Sequence, residues 1–121
     1  MTGMVFFKTM MLKNIVDFYV KELGMHIWLK QKDCTILNQG NLLIGFCERS
    51  SAELEGMITL FYPTKDDVDE MHTMLKHIAT TKPVESDVYK IYHFFAKDPE
   101  GRVLEFQTFL HPIGQVGQNE N

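Results

Sequence analysis

The same order of local signals runs along this chain twice, and that repetition limits the folds open to it. Met4 to Thr9 is apolar and β-prone, as a strand requires. Asn14 is suited to cap a helix. Ile15, Phe18, Tyr19, Glu22 and Leu23 then follow at helical spacing, with the apolar members on one face, and Gly24 closes the helix. Strand signals return at Met25–Lys30 and Cys34–Leu37. After the turn residues Asn38-Gln39-Gly40-Asn41 they appear again at Leu42–Cys47. The order is strand, helix and three strands.

A short polar stretch, Glu48 to Gly56, reads as a linker, and the order then restarts. Met57 to Tyr62 is a strand. Thr64 and Asp67 resemble a capping box, and Val68, Met71, Leu75 and Ile78 continue at helical spacing. Lys82-Pro83 lies at or just past the end of that helix. A weak strand is expected over Val84–Val88. Two strong ones, Ile91–Lys97 and Arg102–Leu110, are joined by the turn residues Asp98-Pro99-Glu100-Gly101. The chain therefore reads as an α+β protein of two βαβββ modules, each about sixty residues long. The competing reading is an ordinary α+β domain whose halves match by chance.

With 121 residues, one domain is expected over 1–121: module one at about 1–48, module two at about 56–111, and a flexible tail at 112–121. Hydrophobic residues at 45% and charged residues at 23% argue against disorder. The net charge of −4 and scattered lysines give no nucleic-acid footprint. No apolar run reaches membrane-spanning length and no targeting signal opens the chain, so no membrane partner and a cytoplasmic location are expected. Cys34 and Cys47, in apolar strand-like stretches, read as buried free thiols.

Two segments add a resemblance. Phe18-Tyr19-Val20-Lys21-Glu22-Leu23-Gly24-Met25 resembles the FY-x-x-x-LG-hydrophobic signature of the vicinal-oxygen-chelate superfamily, which includes glyoxalases, bleomycin-resistance proteins and extradiol dioxygenases. Phe94 to Phe106 resembles that superfamily's last hairpin, F-x-x-x-DP-x-G-x-x-LE-hydrophobic. The resemblance spans nearly the whole chain. It implies a cupped, incompletely closed mixed sheet with helices outside, and a homodimer. It also implies where metal ligands would stand in metal-dependent members. Met4 and Ile44 fall at two of those positions, Met57–Tyr62 contains no His, Glu or Asp, and only Glu105 remains. No metal and no cofactor are therefore expected.

Alternation along the last strand puts Leu104, Phe106, Thr108 and Leu110 on one face, and Val103, Glu105, Gln107 and Phe109 on the other, the expected cavity face. Glu105 is either a working cavity carboxylate or one tied up by a neighbouring donor. His93 is expected directly across from Glu105 if the turn is bulged, or on the other face if the register slips. These two are the candidate catalytic residues. Candidate ligand-binding residues are Trp28, Tyr62, His93, Phe95, Glu105 and Gln107; Trp28 and Tyr62 serve core packing or a dimer contact equally well. His26, His72, His77 and His111 lack metal-ligand spacing and read as surface or rim residues. The function expected is binding of a small molecule in an apolar cavity without a metal, as in bleomycin-resistance proteins. The alternative is a lyase, isomerase or dioxygenase-like enzyme of the same superfamily, metal-independent through Glu105 and His93 or metal-dependent.

Overall fold

The computed structural model describes residues 1–116. The expected flexible tail at 112–121 therefore lies outside the described residues from 117 onward. The chain forms two compact units. One is Met1–Glu55 with Asp98–Gly101; the other is Gly56–Lys97 with the chain from Arg102 onward.

The first unit holds β1 (Val5–Thr9), α1 (Leu12–Lys21), β2 (His26–Lys30), β3 (Cys34–Gln39) and β4 (Leu42–Glu48). Its sheet has the order β1-β4-β3-β2, with β1 parallel to β4 and the other pairs antiparallel. Ile15, Phe18 and Tyr19 form the buried face of α1, and Leu37, Ile44 and Phe46 are fully buried strand residues. The Tyr19 and Phe46 rings lie 5.0 Å apart.

The start of α1 differs from the sequence reading. The N-cap is Met11, not Asn14, and its side chain makes no capping bond. The free N–H groups find one local acceptor, Thr9, and two far along the chain, Glu48 and Glu100. Met10 N donates to Glu100 Oε2 at 2.8 Å, Met11 N to Thr9 Oγ1 at 3.1 Å and Leu12 N to Glu48 Oε1 at 2.9 Å. A helix end needs such acceptors wherever they come from. Gly24, with φ of +78°, turns the chain out of the helix.

The second unit repeats the order with β5 (Met57–Phe61), α2 (Lys65–Met74), β6 (Val84–Ser86), β7 (Ile91–Lys97) and β8 (Val103–Phe109). The sheet order is β5-β8-β7-β6, with β5 parallel to β8. Two four-stranded mixed sheets and two helices thus make the α+β fold of paired βαβββ modules. The capping box at α2 is present: Asp67 N donates to Thr64 Oγ1 at 3.2 Å and Thr64 N to Asp67 Oδ2 at 3.2 Å. The helix stops at Met74, earlier than its apolar spacing implies. Leu75 and Ile78 lie in the turn that follows, closed by the Ile78 N to Leu75 O bond. Phe94, Ala96, Leu104 and Phe106 are buried on the face that meets Val68 and Leu75, and the Phe94 and Phe106 rings stack at 5.0 Å. Each helix covers one face of its own sheet and leaves the other for the site.

The cysteines are not free thiols. Cys34 on β3 and Cys47 on β4 stand directly opposite in the ladder, with Cα atoms 4.0 Å apart, and are joined as a disulfide. The reason is register. β3 runs on to Gln39, so the hairpin turn is only Gly40-Asn41, and counting back from it pairs the two sulfurs.

Candidate functional site

On the second sheet, the face away from α2 carries Met57, Thr59 and Phe61 from β5, Ile91, His93 and Phe95 from β7, and Glu105, Gln107 and Phe109 from β8. Period-two alternation puts every one of them on the same side. They shape a hollow of about 450 Å³ lined by Met57, Tyr89, Ile91, His93, Phe95, Glu105, Gln107 and Phe109. Tyr89 comes from the turn between β6 and β7, where Tyr89 N donates to Ser86 Oγ at 3.3 Å.

Glu105 is the hub of the polar part. It is only 6% exposed, and its oxygens are taken by neighbours on all three strands. Thr59 on β5 donates its hydroxyl to Oε1 at 2.8 Å. His93 on β7 lies with Nδ1 2.6 Å from Oε2. Gln107, two residues along β8, has its side-chain amide 3.3 Å from Oε1 and 3.2 Å from Oε2, and the amide orientation that satisfies both groups puts the NH2 there as donor. Such a buried carboxylate is tolerable only with this many donors around it.

His93 and Glu105 therefore meet, but not as direct partners across the hairpin. Phe95 stands opposite Glu105, and His93 stands opposite Gln107. The turn spans Asp98 to Arg102 between the paired Lys97 and Val103, which moves the register by one pair on the same face. His93 reaches Glu105 along the diagonal, a distance long side chains cover. Its ring also sits edge-on to Phe95 at 5.0 Å.

Of the other residues singled out from the sequence, Phe95 and Gln107 line the hollow, and Tyr62 and Trp28 do not. Tyr62 follows β5 in phase with Ile58 and Leu60, on the helix side. Burial, aided by the Asp67 carboxylate, pushes its phenol up to about 12. Its backbone is tied to β8: Tyr62 N donates to Gln107 O at 2.9 Å, and Thr108 Oγ1 donates to Tyr62 O at 2.6 Å. Trp28 belongs to the first unit, at the bulge of β2, and is 54% exposed. His72 sets its ring edge on Phe94 at 5.0 Å, while His26, His77 and His111 are exposed. The sequence reading missed Thr59, Met57, Tyr89 and Ile91. Alternation on the strand after the linker holds the signal for Thr59, but its parallel pairing with Glu105 does not show in the residues themselves.

The first sheet corrects one expected ligand position, Ile44. Phe6 pairs with Gly45 just as Thr59 pairs with Glu105, and each stands the same distance ahead of its helix N-cap. Gly45 and Phe6 are therefore the counterparts of the second module's Glu105 and Thr59, so Gly45, not Ile44, stands where Glu105 does. Ile44 faces the helix and is 2% exposed. A side chain on Gly45 would lie 2.4 Å from the Phe6 ring, so the aromatic ring occupies the place a ligating group would need. A divalent cation prefers three or four carboxylate, imidazole or thiolate donors. Among the described residues no group of three or more His, Cys, Asp or Glu converges to supply them. Among the described residues the donors gathered around Glu105 fall short of that set.

No family model and no curated protein matches the sequence. Solved structures do match. A glyoxalase/bleomycin resistance protein/dioxygenase from Nocardioides is similar at 16% identity and a TM-score of 0.75, over 97% of this chain and 90% of that one. A protein of the same description from Burkholderia phytofirmans PsJN is similar at 18% identity and 0.75, over 87% and 95%. A lactoylglutathione lyase from Agrobacterium tumefaciens is similar at 18% identity and 0.73, over 88% and 92%. At these identities the likeness establishes the fold.

Proposed function

From this vicinal-oxygen-chelate fold, shared with glyoxalase/bleomycin resistance/dioxygenase proteins, we propose that the chain binds a small organic molecule in the hollow of its second sheet, without a metal. The observation that carries the reading is the hollow itself. It has the volume of a small-molecule site, walls of Met57, Ile91, Phe95 and Phe109, and one convergent polar cluster on Glu105. Its polar groups are pre-set by hydrogen bonds, which lowers the ordering cost of binding.

The enzyme reading is favoured by one contact, the 2.6 Å approach of His93 Nδ1 to Glu105 Oε2. A carboxylate that fixes an imidazole is an acid–base arrangement. Binding is the broader claim and comes first. A homodimer belongs to the same proposal, because Val5, Phe6, Ile27, Trp28 and Leu29 leave apolar surface exposed on the first unit; light scattering reads it directly. So does a cytoplasmic location. Among the described residues no helix is long and apolar enough to cross a membrane. Cytosolic thiol pools keep most cysteines reduced, so in that location Cys34 and Cys47 would be held largely as thiols. Trapping free thiols at lysis measures it.

Met57 gives a clean test, because it is 52% exposed and its replacement leaves the core untouched. A screen of small neutral aromatic compounds in EDTA should raise the melting temperature of the native chain. Met57→Arg should abolish the rise while unfolding at nearly the native temperature. Stabilisation that requires a divalent ion, or that survives Met57→Arg unchanged, contradicts the reading.

A further inference from the structure

The nitrogen that His93 leaves over determines what kind of molecule the hollow accepts, an inference that rests on the binding reading above. A carboxylate only accepts hydrogen bonds. Glu105 Oε2 lies 2.6 Å from His93 Nδ1, so the hydrogen of that contact sits on Nδ1. In its neutral form an imidazole has one N–H, and in that form the N–H of His93 points at Glu105. Nε2 then presents a bare lone pair. Among the described residues Nε2 has no hydrogen-bond partner, and it is not sealed away from solvent. The side chain is 15% exposed where it lines the hollow. Glu105 itself has little capacity left, with Thr59, His93 and Gln107 all directed at it.

We propose that the hollow takes a flat, uncharged, largely apolar molecule carrying one N–H or O–H donor, and that the donor bonds to Nε2 of His93. The walls support the apolar body: Met57, Ile91, Phe95 and Phe109 line the hollow along with the imidazole, and flat faces suit the Phe95 and Phe109 rings. The lining contains no Lys or Arg. A ligand with a permanent carboxylate or phosphate would approach Glu105 with no fixed cation beside it, and like charges at short range repel strongly in a half-buried site. A neutral donor meets no such opposition. Glu105 acts here as a positioning residue: it holds the tautomer, and His93 touches the ligand.

Indole and benzofuran are suitable probes, since they share shape and differ in one N–H. Calorimetric titration at pH 8 in EDTA should show indole binding about fivefold to tenfold tighter, the value of one hydrogen bond. His93→Phe should bring the two affinities together. Nitrogen-15 spectra of the histidines should show Nδ1 protonated and Nε2 bare in His93. Glu105→Gln should scramble that preference and shrink the advantage of indole, a spectroscopic change that a purely structural role for Glu105 would not give. Equal affinities in the native chain, or an Nε2–H tautomer, overturn the inference while leaving the binding reading intact. If neither probe binds up to its solubility limit, both fall.

Discussion

Tyr62 and Tyr92 hold their phenols neutral by different means, and the difference is measurable. Burial first, and the Asp67 carboxylate second, raise Tyr62 from an ordinary value near 10 to about 12. Tyr92 rises to about 12 chiefly because its hydroxyl donates to Asp69 Oδ1 at 2.6 Å. A folded-state value above the unfolded one means the stabilisation is whole below about pH 10 and is lost as pH climbs toward 12. Phenolate absorbance should therefore show both titrating late, with one late component removed by Tyr62→Phe and another by Tyr92→Phe. Unfolding midpoints should fall over the same pH window. Titration of both near pH 10 would contradict the placement of Tyr62 on the buried side. At this scale the sequence is a good guide to side-chain face and a poor one to partners. Alternation alone puts Glu105, Gln107 and Phe109 together. That Thr59 donates to Glu105, and that Gly45 rather than Ile44 is its counterpart, depends on parallel pairing between strands far apart in the chain, which no local pattern encodes.

Among the elements, those whose ends are set locally are legible and those set from a distance are not. The α2 capping box lies within four consecutive residues, Thr64 to Asp67, and the structure contains it. The α1 start draws on Glu48 and Glu100, which no reading of residues 9–14 reveals. The β3–β4 hairpin is a similar case. Once β3 extends to Gln39, a two-residue turn aligns Cys34 with Cys47. Closing a short loop in the unfolded chain stabilises by about 2–3 kcal/mol in the chain-entropy account. Replacing both cysteines by serine should lower stability by about that amount in oxidising buffer. The native and doubly substituted chains should converge when a reductant is added. Denaturant unfolding with and without reductant checks it, and an unchanged midpoint on reduction would mean that the hairpin is held by its ladder and packing alone.

For the molecule as a whole, the duplicated βαβββ order was readable because it rests on periodicity and turn chemistry, the most local of signals. The fold that it builds is one that carries many chemistries, so the activity has to be argued from the site and not from the architecture. Here the site has a single polar cluster, gathered on Glu105 by one donor from β5, one from β7 and one further along β8. The first sheet, with Phe6 over Gly45 at the matching place, offers no second carboxylate. The central claim is that this hollow binds a small molecule without a metal. Chemical-shift mapping tests it most directly. Backbone amide spectra are recorded in EDTA while indole is added. The account predicts saturable shifts centred on Met57, Tyr89, Ile91, His93, Phe95, Glu105, Gln107 and Phe109. Shifts confined to other residues, or appearing only after a divalent metal is supplied, would contradict it.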